Sequence, residues 1–250
     1  DRHWNQASRG YCEEKLFYPQ DGWVEHDADD VWQCVQRAVF SAMEQVGATG
    51  NEIISVGIDH EGETVVLWDK KTGRSVYHAL VWQDRRTAEY CDTIRSKYGK
   101  IISERTHLPV DSYFSATKLQ WLLQHVENAS SLLQQGRLCA GNMDAWILWK
   151  MSGGKIHSTD GSTASRTMLY DVQKQDWAED LLELFGIPKQ IMPTICDSNH
   201  VFGNTDSASF LGIAAPISGV LNDQQAALLG QGCTMPGKIK TTYGTGCFMF

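Results

Sequence analysis

PISGVLNDQQAALLGQGCTMPGKIKTTYGTG, residues 216–246, reads as strand, acidic corner, helix, strand and glycine turn. The apolar run Pro216 to Leu221 breaks at Asn222-Asp223, a helical segment runs from Gln224 to Leu229, and Tyr243-Gly244-Thr245-Gly246 closes the stretch. A carboxylate at a strand end, followed by a loop whose backbone can approach a ligand closely, suits phosphoryl transfer, which needs a base, a metal and N–H donors. The same residues also have plain structural readings. Asp before a helix serves as an N-cap, and Gly-Thr-Gly as a turn. The stretch alone does not decide between these readings.

Working outward, strands alternate with helices, which places the chain in the α/β class. Asp27-Ala28-Asp29-Asp30 offers N-cap candidates for a helix from Val31 to Val46, whose Val31, Val35, Val39, Met43 and Val46 fall on one side, and Gly47 closes it. Ile53 to Ile58 is a nearly continuous apolar run, as expected of a strand buried on both faces. Thr64 to Trp68 and Val76 to Trp82 read as further strands, Thr87 to Tyr98 as a helix, and Ile101 to Leu108 as a short helix or turn. A helix carrying Leu119, Leu122, Leu123 and Val126 follows the aromatic loop at Tyr113-Phe114. Lys118 in its first turn opposes the helix dipole; it is expected to snorkel to solvent, with pairing to an acidic partner as the alternative. Leu138 to Ala140 and Lys155 to Ser158 read as strands, and Asp144 to Met151 and Trp177 to Phe185 as helices.

Composition narrows the function classes. Of 250 residues, 42% are hydrophobic and 21% charged, the balance of an ordinary globular protein with a large core. A net charge of −8 leaves no basic face for nucleic acid or an anionic membrane. The seven cysteines are scattered, without a Cys-x-x-Cys pair, and read as reduced thiols of a cytoplasmic protein. No apolar run approaches the length of a membrane span.

Two strand ends carry unusual chemistry: Glu63 in the corner Asp59-His60-Glu61-Gly62-Glu63, and Trp82 before Gln83-Asp84-Arg85-Arg86. Ligands bind at such ends in open α/β sheets. A solvated turn carboxylate and a core aromatic are the alternative readings.

A family resemblance rests on matches in order along the chain: Gly22 to Asp27, Trp82-Gln83 with Arg85-Arg86-Thr87, Tyr113 to Leu122, Ala164 to Leu169, Pro216 to Gly219, Asp223 to Ala227 and Thr242 to Phe248. The chain resembles the N-terminal half of an FGGY-family carbohydrate kinase, and within that family the glycerol kinases. The resemblance implies an actin-like, ribonuclease-H-like domain of a two-domain sugar kinase, spanning residues 1–250 and lacking the family's opening strand hairpin and C-terminal ATP-side domain. It also implies an ATP-dependent transfer of phosphate to a polyol or sugar hydroxyl.

Residue by residue, the resemblance implies that Asp223 is the general base and a ligand for Mg2+. Gln224 and Glu63 would hydrogen-bond substrate hydroxyls, Trp82 would pack on the carbon backbone, and Tyr113 would cover it. Thr245, between Gly244 and Gly246, would contact the phosphates of ATP. The implied partner is a small polyol or sugar, without nucleic acid or membrane, and self-association as a homo-oligomer is left open.

The corner before Glu63 departs from the resemblance. Glycerol kinases carry an arginine where this chain has Gly62, so a charge and up to five donors are gone, and the glycine is expected to leave space for a longer polyol or a ketose. The chain is also expected to be inactive as given, because the phosphate-binding turn of the opening hairpin and the second domain are not in it. A non-catalytic polyol-binding module and a hydrolase of the same superfold are the rival classes.

Overall fold

The structure, a computed structural model, describes residues 5–250. The strand Val65–Asp69 is covered at all five positions. Val65 and Leu67 enter one apolar core, and Val66 and Trp68 enter another, because successive side chains of a strand point to opposite faces. Helices therefore cover both faces of this sheet. Ala88–Thr106 and Ser115–His125 supply Ile94, Ile102, Leu119 and Leu122 to the first core, and Ala28–Val46 and Met143–Met151 supply Val31, Trp32, Trp146 and Leu148 to the second. Each such side chain contributes roughly 1.5–3 kcal/mol by leaving water.

Val65–Asp69 pairs antiparallel with Leu138–Asn142 on one side and with Ala79–Leu80 and Arg74–Ser75 on the other. A second sheet carries the acidic corner. In it Val56–His60 runs parallel to Pro216–Asn222, with Leu221 opposite Asp59 and Asn222 opposite His60. Ser158–Asp160 pairs in parallel with Thr194–Cys196 nearby. The chain is mixed α/β, as expected.

Local chemistry sets several boundaries as expected. The Asp27 side chain accepts from the amides of Asp29 and Asp30 at the start of Ala28–Val46, and Gly47 ends that helix at φ 64°, a left-handed conformation suited to glycine.

Other expectations need correcting. Ile53 to Ile58 is not a strand buried on both faces. The strand is Val56–His60, at the edge of its sheet among the described residues, and Ile54 is 85% exposed. Val56 and Ile58 instead line an apolar groove of about 650 Å³ with Val31, Val35, Met143 and Ile147. Thr87 to Tyr98 and Ile101 to Leu108 form one helix, Ala88–Thr106, because Cys91, Ile94 and Ile102 pack as one face and tertiary burial outweighs the cost of Gly99. Val76 to Trp82 contains only the two-residue strand Ala79–Leu80. The strand read at Lys155 to Ser158 lies at Ser158–Asp160, and the helix read at Trp177 to Phe185 is the shorter Glu179–Leu184.

Candidate active site

Register brings the acidic corner together. With Asn222 opposite His60 on adjacent parallel strands, Asp223 emerges beside the corner Asp59 to Glu63. Asn222, not Asp223, caps the helix Asp223–Gly230: its side chain accepts from the Gln224 amide at 3.1 Å. Asp223 is thereby released from capping the helix as its N-cap residue. Its half-buried carboxylate accepts from the amide and the side-chain nitrogen of Gln224, at 2.7 and 3.0 Å. Asp59 stands near, its carboxyl raised above the usual range by partial burial and then by the negative charge of Asp223.

Under this corner lies a buried polar bed. His60 Nε2 lies 2.8 Å from Thr163 Oγ1 and 3.8 Å from a carboxylate oxygen of Asp144, to which Thr159 donates at 2.6 Å. Burial raises the Asp144 carboxyl, against the opposing pull of His60. Ser162 Oγ accepts from the Asn222 amide at 2.9 Å and so fixes the end of the strand. These contacts rigidify the corner from below.

The Gly62 expectation needs correction. A β-carbon on Gly62 would lie 1.5 Å from the side-chain nitrogen of Asn222 and 3.4 Å from Arg166. Glycine leaves no space here, because Asn222 has taken it. The Asn222 side-chain nitrogen, on a residue 1% exposed, has no hydrogen-bond partner among the described residues.

Glu63 is 4% exposed and is paired: Arg166 Nε donates to it at 2.7 Å. The same guanidinium sits over the Phe114 and Tyr113 rings, at 5.1 and 5.7 Å. Tyr113 has its hydroxyl pushed well above the usual range by burial, then by the Glu63 charge. Its ring meets Trp82 edge-on at 5.9 Å, and Phe248 lies against both, at 6.2 Å from Trp82 and 6.4 Å from Tyr113. Three aromatic walls therefore converge.

Trp82, Tyr113 and Thr245 line a single cavity of about 260 Å³, together with Gln83, Asp84 and Asp111. Thr245 reaches it because Gly244 to Gly246 turn the hairpin Thr241–Tyr243 and Cys247–Met249 back over the aromatic walls. A β-carbon on Gly246 would come within 2.6 Å of the Phe248 ring, so a larger residue at this turn would make that ring shift. Gln224 is tied to the start of the hairpin by the fully buried Lys240, which donates to its side-chain oxygen at 2.5 Å.

Lys118 corrects another expectation. It is fully buried and donates to the backbone carbonyls of Ser112 and Tyr113, at 3.1 and 2.6 Å, so it pins the Tyr113 loop instead of reaching solvent. Burial pushes its ammonium down to about 8, against the pull of Glu63 and Asp84. The Trp82 corner is braced by Arg86. That guanidinium is stacked 3.7 Å from the Trp23 ring centroid and 4.4 Å from that of Trp121, and is paired with Asp84 at 2.8 Å and Glu25 at 2.7 Å.

The structure thus joins Trp82, Tyr113 and Thr245 in one cavity, and ties Glu63 to Tyr113 through Arg166. Asp223 and Gln224 form a second cluster, linked to the Glu63 corner by Asn222 against Gly62. They are not among the residues lining the aromatic cavity. Sequence reading passed over Asp59, Asn222, Lys240 and Phe248. Of these, Phe248 has a usable signal, as the aromatic residue on the return strand after the glycine turn.

For a divalent cation, the fit rests on the paired carboxylates of Asp59 and Asp223. Oxygen donors suit Mg2+, which is held by one or two carboxylates while phosphates and waters supply the rest. Among the described residues no larger acidic, histidine or cysteine cluster offers a closed cage.

The comparisons agree with this architecture. A family model described as the FGGY family of carbohydrate kinases, N-terminal domain, matches residues 1–230. A glycerol kinase of Bordetella pertussis is 46% identical over 250 residues, covering 100% of this chain and 49% of the relative. Glycerol kinase 2 of Thermotoga maritima is 44% identical over 250 residues, covering 100% of this chain and 50% of the relative. The crystal structure of Plasmodium falciparum glycerol kinase with ADP is similar at a TM-score of 0.88 and 30% identity, over 95% of this chain and 48% of that one. A xylulose kinase from Rhodospirillum rubrum shares the fold at a TM-score of 0.81 and 20% identity, over 94% of this chain and 48% of that one. The chain spans about half the length of the relatives it matches.

Proposed function

We propose, from the premise that the chain belongs to the FGGY family of carbohydrate kinases, that it forms the polyol side of a kinase transferring phosphate from ATP to glycerol. The observation that carries this reading is the cavity shared by Trp82, Tyr113 and Thr245, which sets apolar walls for a short carbon chain against a turn suited to phosphate. The two relatives matched in sequence at 46% and 44% identity are glycerol kinases, and they support the choice of polyol.

In this reading Asp223 accepts the proton of the attacking hydroxyl, a role open to a half-buried carboxylate at a strand end. Glu63, held by Arg166, accepts from a second hydroxyl, and Gln224 contributes a further polar contact. The Trp82, Tyr113 and Phe248 rings pack on the C–H faces of the polyol and exclude water. Thr245 and the backbone of Gly244 and Gly246 receive phosphate oxygens. Asp223, with Asp59 beside it, would hold Mg2+, which neutralises phosphate charge. The chain would work in the cytoplasm, and no described helix is long and apolar enough to cross a membrane.

A longer polyol or a ketose has lost its steric motive, since Asn222 fills the space beside Gly62. The test is ATP-dependent phosphorylation by the complete gene product, compared across glycerol, four- and five-carbon polyols and xylulose. The highest kcat/KM is expected for glycerol. A clear preference for a longer substrate would overturn the assignment, and polyol binding without any transfer would make the chain a binding module.

A further inference from the structure

Away from that site, residues 9–12 form a strap across the helix Ala28–Val46. Gln45 donates to the Arg9 carbonyl at 2.8 Å, and Gly10 runs so close that a β-carbon there would lie 1.7 Å from the Ala38 carbonyl oxygen. This seating delivers Cys12 to Cys34: their sulfurs are 2.7 Å apart, although the residues are 22 positions apart in sequence. Arg37 completes the cluster, donating from Nε to Cys12 at 3.4 Å and from Nη2 to Cys34 at 3.1 Å. A guanidinium beside a thiol favours the thiolate, which is the reactive form.

The two thiols differ in access. Cys34 is 3% exposed, whereas Cys12 is only partly covered. Burial, and the hydrogen bond shared with Cys12, raise the Cys34 thiol against the pull of Arg37. Cys12 is therefore the sulfur that a solution reagent meets first.

We propose that Cys12 and Cys34 are a reversible thiol–disulfide site, oxidised by a small disulfide of the glutathione class. The Cys12 thiolate attacks one sulfur of glutathione disulfide, forming a mixed disulfide and releasing one glutathione thiolate. Cys34 then loses its proton and attacks the Cys12 sulfur, and the second glutathione leaves as thiolate. The balance is two protein thiols and one glutathione disulfide giving one protein disulfide and two glutathiones. The bond would fasten the strap to the helix that lines the apolar groove, and reduction would free it.

The test holds the chain in defined mixtures of reduced and oxidised glutathione, quenches with acid, alkylates free thiols and maps the peptides by mass. The expected result is a cross-link between Cys12 and Cys34, reversed by dithiothreitol, with an effective concentration roughly tenfold or more above that of the same pair in concentrated guanidinium. A smaller ratio, or a stable glutathione adduct on Cys12 with Cys34 still free, would overturn the proposal. Cys12→Ser should leave Cys34 unmodified by glutathione disulfide, and rapid glutathionylation of Cys34 in that variant would contradict the order of attack. Arg37→Gln should slow the first exchange several-fold, and an unchanged rate would remove Arg37 from the site.

Discussion

The side-chain nitrogen of Asn222 occupies the place a β-carbon on Gly62 would need, 1.5 Å from it. The two residues are 160 positions apart and meet because the parallel register sets Asn222 opposite His60. Each therefore limits what the other can be. Gly62→Ala alone should cost about 1–3 kcal/mol by overpacking. Asn222→Gly alone should cost only a few tenths of a kcal/mol as a cap replacement. In the double variant the clash is gone, so the costs should fall short of additive by about 1 kcal/mol or more. Denaturant unfolding of the four proteins measures this, and strict additivity would show that Asn222 simply swings aside.

Arg166 and Glu63 form a nearly buried ion pair at 2.7 Å. Removing one partner leaves an uncompensated charge, which typically costs about 3–5 kcal/mol. Arg166→Ala should thus lower stability by a few kcal/mol and also weaken glycerol binding, because Glu63 and the Tyr113 ring lose their common support. Arg166→Met combined with Glu63→Gln should recover much of the stability but not the binding. Thermal unfolding and calorimetric titration separate the two effects. Equal recovery of both would reduce the pair to a packing device.

Lys118 gives a pH signature. Its ammonium titrates near 8 in the folded chain and near 10.4 when unfolded, so between those values the unfolded state holds more of the proton. Stability contributed by this site must then rise with pH across that window. Below about 8 the burial penalty on the charged form is fully present. The difference in unfolding free energy between the parent chain and Lys118→Met should move in favour of the parent by up to about 3 kcal/mol from pH 8 to 10.4. A flat difference would show that Lys118 titrates normally, in contact with water.

What could be read from the sequence follows the range of the interactions. The cap at Asp27, the turn at Gly47 and the order strand, corner, helix, strand and glycine turn at 216–246 depend on neighbours in sequence, and they stand in the structure. Lys118 was misread because side-chain burial depends on packing that the dipole argument does not see. Its carbonyl partners, Ser112 and Tyr113, are only six and five residues away. The run at Ile53 to Ile58 was misread because an edge strand facing an apolar groove has the same composition as a central one. Gly62 was misread because its neighbour is set by strand register, and nothing near position 62 announces Asn222.

Asp223 is the residue on which the proposed chemistry turns, and its surroundings make the substitution informative. Asn222 carries the helix cap, so Asp223→Asn should leave the helix Asp223–Gly230 and the fold intact. Asparagine keeps the shape and can still receive the Gln224 amide through its oxygen, yet it cannot take a proton. Loss of a general base typically costs 10²–10⁴-fold, so kcat of the complete gene product should fall by about 10³. The KM for glycerol should change little, since Trp82, Tyr113 and Phe248 carry the apolar contacts. Steady-state kinetics across glycerol concentrations, beside a thermal melt, make the comparison. A kcat within tenfold of the parent would remove Asp223 as the base, and a collapse in melting temperature would make it a structural residue.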